Sequence, residues 1–236
     1  MGRAFEYRRA AKEKRWGMMS RVFPKLGKAI TVAAKAGVPD PEMNAALRTA
    51  IQNAKAQNMP KANIDAAIKR AAGKDTEAFM EELYEGKGPY GVMILVECLT
   101  DNHARTVANM KWIFNKWGAG LAPSGSMLNM FSRKAVIQFE MPAGKDREEL
   151  EMELIDAGLE ELSENEGTCF AYADYTDFGS LTKAFEDLKI ETTKATLQYI
   201  PVAPVELSEE QMEEIEKLID KIEEDDDVQQ VFTNIA

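Results

Sequence analysis

The chain has 236 residues, of which 45% are hydrophobic and 29% charged, as in a folded globular protein with room for more than one domain. Its longest strongly apolar run covers residues 92–96, which is too short to cross a bilayer. The Arg-rich N-terminus lacks the apolar run of a secretory signal. Both cysteines lie in strand-like runs, where buried reduced thiols are expected rather than a bridge. We therefore expect a cytoplasmic protein without a disulfide bond or a membrane segment.

The formal net charge of −11 conceals two parts of opposite sign. Residues 1–74 contain 16 Lys and Arg against 5 Asp and Glu, a net charge of +11. The remaining 162 residues contain 13 basic and 35 acidic residues, a net charge of −22. Concentrated Lys and Arg bind polyanions by releasing condensed counterions. The charge pattern therefore predicts nucleic acid as the partner of the basic part.

Residues 1–18 show no helical periodicity, and we expect them to form a flexible basic arm. Phe5, Tyr7 and Trp16 alternate with the basic residues, a combination that can neutralise phosphates and stack on the bases of single-stranded or looped nucleic acid. The alternative is a solvated tail whose aromatic residues pack on the domain behind it. The main phosphate contacts are predicted at Arg3, Arg8, Arg9, Lys12, Lys14, Arg15 and Arg21.

Residues 19–74 predict a compact three-helix domain with Ala-rich apolar faces. The first helix covers about residues 20–35, the second opens with Asp40 as its N-cap, and the third starts near Pro60 and ends at Gly73. Basic residues on a helical surface are often only solvated, but few acidic residues balance these. Supporting nucleic-acid contacts are predicted at Lys25, Lys28, Arg48, Lys55, Lys61, Lys69 and Arg70.

The segment after residue 80 predicts two strands joined by a Gly/Pro turn. Gly86, Gly88 and Gly91 match the G-x-G-x-x-G spacing of a dinucleotide-binding loop. That fingerprint requires a strand before the glycines and a helix after them, whereas residues 92–99 predict a strand. We therefore expect no nucleotide cofactor at these glycines.

A helix is predicted after the second strand, ending near Trp117, with Val107, Met110, Phe114 and Trp117 on its apolar face. Its outer face carries four residues at offsets of four, three and four, namely Arg105, Asn109, Trp112 and Lys116. An exposed Trp between Arg and Lys can stack on a base or pack against a neighbouring domain. Arg105, Trp112 and Lys116 are therefore added to the predicted nucleic-acid-binding residues.

The second half of the chain predicts an inserted domain, because a βαββαβ order typical of a ferredoxin-like domain interrupts two incomplete units. A ββα unit before it and a βαβ unit after it cannot bury their own faces, but they complete each other. The predicted fold class is α+β multidomain, with a three-helix module and two α+β (ferredoxin-like) domains, one inserted in the other. The predicted domains are a basic arm at 1–18, a three-helix domain at 19–74, a discontinuous domain at 81–132 plus 200–236, and an inserted domain at 133–199.

Three further local features are predicted in the second half of the chain. Separate strands are predicted at residues 127–131 and 135–139, and a further strand at residues 202–207. The acidic run at residues 223–227 is interpreted as a solvated turn.

Three stretches together resemble the YebC/PmpR family of probable transcriptional regulatory proteins, which includes mitochondrial translational activators of cytochrome oxidase. They are AAKAGVPDPEMNAALRTAIQNAKAQNMPKANIDAAIKRAAGKD, YEGKGPYGVMILVECLTDNHARTVANMKWIFNKWGAGL with GSMLNMF, and DDDVQQVFTN. The resemblance spans nearly the whole chain and implies a helical N-terminal domain and two α+β domains, one inserted in the other. It also implies a cytoplasmic, non-enzymatic nucleic-acid-binding regulator. One departure is the N-terminal GRAFEYRR, where most members have a Gly-His-Ser-Lys-Trp type of segment.

The leading functional hypothesis is a DNA-binding transcriptional regulator. A translation factor that binds the ribosome or ribosomal RNA stays open beside it, because members of the family have been assigned both roles. A protein-binding adaptor, whose acidic domains meet a basic protein partner, is an alternative of another class. An enzyme has little support, since the chain has one histidine, no Cys/His cluster and no phosphate loop in context. We expect no catalysis, no cofactor and no metal.

Overall fold

The computed structural model describes residues 19–73 and 79–236, with side chains from residue 22 onward. These residues form seven α-helices and two four-stranded sheets, which confirms the predicted α+β multidomain class. In chain order the elements are α1 (Met19–Ala36), α2 (Ala45–Ala56), α3 (Lys61–Ala71), β1 (Met80–Lys87), β2 (Met93–Thr100), α4 (His103–Lys116), β3 (Gly120–Leu121), β4 (Phe131–Phe139), α5 (Arg147–Ile155), β5 (Leu159–Asn165), β6 (Thr168–Asp174), α6 (Phe178–Asp187), β7 (Thr192–Pro201), α7 (Glu209–Glu223) and β8 (Val228–Thr233).

The described residues divide into two compact units. One unit contains residues 19–28, 79–132 and 199–236, and the other contains residues 29–73 and 133–198. The boundaries of the four predicted domains stay a prediction.

The predicted N-cap of the second helix is wrong, because Asn44 and not Asp40 caps α2. The Asn44 side-chain oxygen accepts a hydrogen bond from the backbone N–H of Leu47, while its amide group donates to the carbonyls of Ala33 (2.8 Å) and Val38 (3.0 Å). Asp40 lies before a turn and accepts only from a nearby backbone N–H. An amide side chain can donate and accept at once, whereas a carboxylate only accepts, so Asn44 can join α1 to α2.

The first sheet has the strand order β3-β1-β2-β8, with antiparallel neighbours. Helices α4 and α7 pack on one of its faces, where Phe114 and Ile215 are fully buried together with Val96. The opposite face is covered by the segment before β4, with Met127 and Phe131 packed around Leu95. The ββα unit and the C-terminal segment thus complete one sheet, as predicted from their incomplete faces, with the C-terminal segment supplying α7 and β8.

The second sheet has the strand order β5-β6-β4-β7, in which β6 is antiparallel to both β5 and β4. This is the order of a ferredoxin-like βαββαβ unit, and all four strands lie between β3 and β8 in the sequence. Helices α5 and α6 bury Leu154 and Phe185 against the sheet, and the Phe185 ring meets Phe139 edge to face at a centroid distance of 4.9 Å. The inserted ferredoxin-like arrangement is therefore confirmed.

Two strand predictions are wrong near the ends of β4 and β7. Residues 127–131 do not form a separate strand, since Leu128–Met130 is a 3-10 turn and β4 then runs unbroken to Phe139. Residues 202–207 are irregular apart from a single bridge between Val205 and Ile235. Pro201 and Pro204 flank the start of this segment and have no N–H to donate to a ladder, which explains why the strand stops.

The glycines that match a dinucleotide-binding spacing have structural roles. Gly86 lies in β1 against the ring of Phe114, and a Cβ at this position would lie 2.0 Å from a ring carbon. Gly91 adopts a positive φ of 78° in the turn before β2. The segment after the glycines is a strand, as predicted, so the helix that the fingerprint requires does not follow them.

Candidate nucleic-acid interface

Three predicted contact residues on the N-terminal helices are exposed to solvent. Lys55 lies in the last turn of α2, Lys61 begins α3, and Lys69 lies in the last turn of α3. All three side chains are exposed and form no ion pair within residues 19–73 and 79–236. The apolar stripes of α2 and α3 are buried, which leaves these lysines on the outside. Arg70 is exposed beside Lys69 and takes part in a further interaction.

Arg48, in contrast, is a half-buried link within its unit. Its Nε donates to the carboxylate of Glu186 on α6 at 3.1 Å, and its guanidinium also donates to the carbonyl of Pro41 at 2.8 Å. The same carboxylate accepts from Gln52 at 3.3 Å. These bonds tie α2 and the turn before it to α6, so Arg48 would have to give up a partner in order to bind a phosphate.

Lys25 and Lys28 on α1 bind the end of α7 and the turn that follows it. The Lys25 ammonium donates to the carbonyl of Glu223 at 2.8 Å. Lys28 donates to the carbonyl of Asp226 and to the carboxylate of Asp227, both at 2.7 Å. Cations are favoured at a helix C-terminus, where the last carbonyl groups carry partial negative charge. These two lysines therefore hold α1 on an acidic segment of the same unit.

Arg105 binds the same carboxylate from the other side. Its guanidinium donates to Asp227 at 2.7 Å and to Asp101, four residues earlier, also at 2.7 Å. The hydroxyl of Thr106 donates to Asp227 at 2.9 Å, and that of Thr100 at 3.2 Å. Asp227 is thus a hub that joins α1, β2 and α4 to the start of β8.

The electrostatics of this hub favour an ionised carboxylate. Burial raises the pKa of Asp227, but hydrogen bonds from Lys28, Arg105 and Thr106 outweigh burial and lower the pKa to about 2. Asp227 is 3% exposed, so its carboxylate is shielded from solvent, while the Arg105 side chain remains 47% exposed. The interpretation of residues 223–227 as a solvated turn is therefore wrong for Asp227.

The two faces of α4 agree with the prediction. Met110 and Phe114 are fully buried, whereas Trp112 on the outer face is 56% exposed. The Lys116 ammonium lies 4.8 Å from the centroid of the Trp112 ring, a cation–π contact. The structure therefore brings Trp112 and Lys116 together on the surface, while Arg105 at the start of the same helix is directed to Asp227.

The arm residues fall outside the described part of the chain. This applies to Arg3, Arg8, Arg9, Lys12, Lys14 and Arg15. Arg21 lies within α1, but its side chain is also outside the description. Their roles as phosphate contacts stay predictions.

Sequence reasoning missed two buried carboxylates, Asp227 and Glu85. Glu85, on β1, is 2% exposed and accepts hydrogen bonds from the backbone N–H groups of Gly125 and Met127. It thereby fixes the Gly-Ser-Met loop and the turn after it. Because side chains in a strand point alternately to its two faces, the sequence can place Glu85 on one face of the predicted strand. No sequence pattern indicates which loop supplies the N–H groups that bond to its carboxylate.

The ring of His103 contacts the carboxylate of Glu82 on β1, which gives this histidine a structural partner. Among the described residues, no group of three or more His, Cys, Asp and Glu side chains could hold a metal ion. No helix in that part of the chain is long and apolar enough to cross a membrane.

Similarity to known proteins covers both the helical segment and the two sheets. Residues 3–74 match the TACO1/YebC protein N-terminal domain, and residues 79–235 match the TACO1/YebC second and third domain. The chain belongs to the TACO1/YebC family. The resemblance to YebC proteins is thereby confirmed.

Relatives and a solved structure agree with this assignment. A probable transcriptional regulatory protein of Wolinella succinogenes is 66% identical over 237 residues, and one of Helicobacter hepaticus is 62% identical over 240 residues. Both alignments cover 100% of each chain. The crystal structure of a conserved hypothetical protein from Aquifex aeolicus is 36% identical, with a TM-score of 0.81 over 92% of this chain and 90% of that one.

Proposed function

We propose that this TACO1/YebC protein is a non-enzymatic nucleic-acid-binding regulator of gene expression that acts by binding DNA. The observation that carries the proposal is the exposed set of lysines on α2 and α3, Lys55, Lys61 and Lys69, within a segment of net charge +11. Such cations gain free energy by replacing the counterions of a phosphate backbone. The names of the relatives as probable transcriptional regulatory proteins support a regulatory role.

The predicted contacts divide into two groups by what they already bind. Lys28, Arg48 and Arg105 have carboxylate partners in the fold, so each would lose an ion pair on binding a phosphate. The exposed lysines have no such partner in the described chain, and the arm residues add charge beside them in the sequence. We therefore assign the phosphate contacts first to the arm and to the three exposed lysines.

Binding to ribosomal RNA is the second candidate function, and the aromatic residues favour it. Phe5, Tyr7 and Trp16 lie among the basic residues of the arm, and Trp112 is exposed beside Lys116. Aromatic rings stack on unpaired bases, which structured RNA offers and regular duplex DNA does not. In that case the regulator acts on translation.

A salt series of equilibrium binding tests the proposal on the full chain, with duplex DNA and structured ribosomal RNA in parallel. If five to eight phosphates are contacted, the slope of log K against log salt is about −4 to −7. The triple variant K55Q/K61Q/K69Q should make the DNA slope shallower by about 2.7, since each phosphate contact contributes about 0.9. The matched control is K183Q/K217Q/K221Q, which removes three lysines that bind carboxylates in the fold.

The results of this salt series distinguish DNA binding from RNA binding and from a protein-binding adaptor. A shallower slope for the exposed triple variant and an unchanged slope for the control support phosphate binding by α2 and α3. Tighter binding to RNA than to DNA assigns the protein to translation. If neither nucleic acid binds at about 100 mM salt, where phosphate contacts remain strong, the proposal is overturned and a protein-binding adaptor is favoured.

A further inference from the structure

We propose that the outer face of α4 is a stacking site for an unpaired nucleobase, with Trp112 as the platform and Lys111 and Lys116 as contacts to the flanking phosphates. This inference rests on the proposed function, because it names the kind of nucleic acid that this surface takes. It concerns a surface on the acidic part of the chain, separate in sequence from the basic N-terminal segment.

The position of Trp112 is not explained by packing within its unit. Neighbouring residues Ile113 and Phe114 are buried in the core beneath α4, while the Trp112 indole remains 56% exposed. It is the only large apolar residue on α4 that is exposed. A docking surface for an apolar protein partner presents a contiguous patch of several hundred Å², whereas a single ring suits one base.

The charge of α4 is opposite to that of its surroundings. Residues 79–132 and 199–236 contain 17 acidic and 6 basic residues, yet α4 carries three of these basic residues and no acidic one. Arg105 is occupied by Asp101 and Asp227, which fixes the start of the helix. Lys111 and Lys116 are exposed and form no ion pair with the described residues.

Apart from the two carboxylates that bind Arg105, one acidic residue of the described chain bonds to this face. The Asn109 amide donates to the carboxylate of Asp225 at 2.8 Å, one turn before Trp112. The neutral amide does not offset the charge of Asp225, so the positive charge of this face lies beyond Trp112 toward the end of the helix, where the Lys116 ammonium contacts the ring. The Lys116 ammonium lies over one face of the Trp112 ring, so a base stacks on the opposite face, or on this face once the ammonium moves to the phosphate.

An unpaired base fits this site better than a base pair. In a regular duplex both faces of every internal base are stacked on neighbours, so a side chain on a convex helix reaches only a base that is bulged, looped or single-stranded. The site therefore takes RNA or DNA with an accessible base, and the lysines add no preference for base identity.

The test measures binding of the full chain to three hairpin RNAs: one with a single bulged adenosine, one with an abasic bulge and one fully paired. W112A should weaken binding to the bulged hairpin by about 5- to 150-fold, the loss expected for one stacked base. W112F should retain part of the affinity. The matched control M152A removes another exposed apolar side chain, on α5, and should bind all three RNAs like the unchanged protein.

The salt dependence of binding distinguishes base stacking by Trp112 from phosphate contacts by Lys111 and Lys116. W112A should shift log K without altering its slope against log salt, because stacking releases no counterions. K111Q/K116Q should make the slope shallower by about 1.4 on a single-stranded contact, at about 0.7 for each phosphate. Equal losses by W112A on the bulged, abasic and paired hairpins would show that the ring does not stack on a base. Unchanged binding of W112A to the bulged hairpin would also overturn the site, while normal binding of the unchanged protein would leave the proposed function standing.

Discussion

Lys28 and Asp227 lie 199 positions apart in the chain and form an ion pair of 2.7 Å, with side chains that are 16% and 4% exposed. Arg105 binds the other oxygen of the same carboxylate at 2.7 Å. Two of the basic residues that the sequence assigns to nucleic acid, Lys28 and Arg105, are therefore already paired with an acidic residue of the same unit. Asp227 stabilises the fold by supplying the counter-charge for both.

Replacing Asp227 with Asn should destabilise the protein strongly. The variant leaves the Lys28 ammonium without its anion and leaves Arg105 paired with Asp101 alone. Removing one partner of a buried ion pair costs about 3 kcal/mol. Urea unfolding at pH 7 measures the loss. The control is E213Q, which breaks the exposed pair with Lys217 on α7 and should change stability by less than about 0.5 kcal/mol. Equal midpoints for D227N and E213Q would contradict a structural role for this hub.

The stability contribution of Asp227 should depend on pH in the acid range. Its pKa in the folded protein is about 2, below the ordinary value of 3.8. A lowered carboxylate pKa contributes stability that is present above the unfolded pKa and is lost as the pH falls through the folded pKa. The difference corresponds to about 2 kcal/mol lost between about pH 5 and pH 2. The stability gap between unchanged protein and D227N, measured in urea at pH 6, 4 and 3, should therefore narrow as the pH falls. A constant gap would contradict the lowered pKa.

Much of the fold could be predicted because it depends on the periodic pattern of apolar residues along the chain. The βαββαβ order predicts the ferredoxin-like sheet, and the apolar stripe that includes Met110 and Phe114 predicts which face of α4 is buried. Both follow from residues that are near each other in the chain. The same reasoning separates Trp112 from the core, so the exposed face of α4 could also be predicted.

The features that could not be predicted depend on distant partners. Asp227 stands in an acidic run, and nothing near it indicates that Lys28 and Arg105 meet there. Asn44 and Asp40 are both good N-caps by residue type, and only the carbonyls that Asn44 reaches on α1 decide between them. Charge counting likewise could not show that Arg48 is bound to Glu186.

Both cysteines should resist thiol reagents in the folded protein. Burial, followed by the nearby carboxylates of Asp225, Asp227 and Glu82, raises the pKa of Cys98 to about 12. Burial also raises the pKa of Cys169. Since the thiolate is the reactive form, labelling at pH 8 with an aromatic disulfide reagent should be slow in buffer and fast in denaturant. Rapid labelling of the native protein would contradict the burial of both thiols.

Gly86 should tolerate no side chain, whereas Gly88 should accept one. An alanine Cβ at position 86 would lie 2.0 Å from a ring carbon of the fully buried Phe114, and at position 88 the nearest atom, on Ile94, is 3.4 Å away. Neither glycine has a positive φ, so the comparison isolates packing. G86A should lower the free energy of unfolding by about 3 kcal/mol, and G88A by less than about 1 kcal/mol.

A double-mutant cycle tests whether the Phe114 ring is the reason that G86A destabilises the protein. F114L alone should destabilise the protein by loss of buried contact, but in the G86A background the smaller side chain relieves the overlap. The loss in G86A/F114L should therefore be smaller than the sum of the two single losses, with a coupling of at least about 1 kcal/mol. Additive losses would show that Gly86 is required for another reason, and a destabilised G88A would show that the turn itself requires glycine.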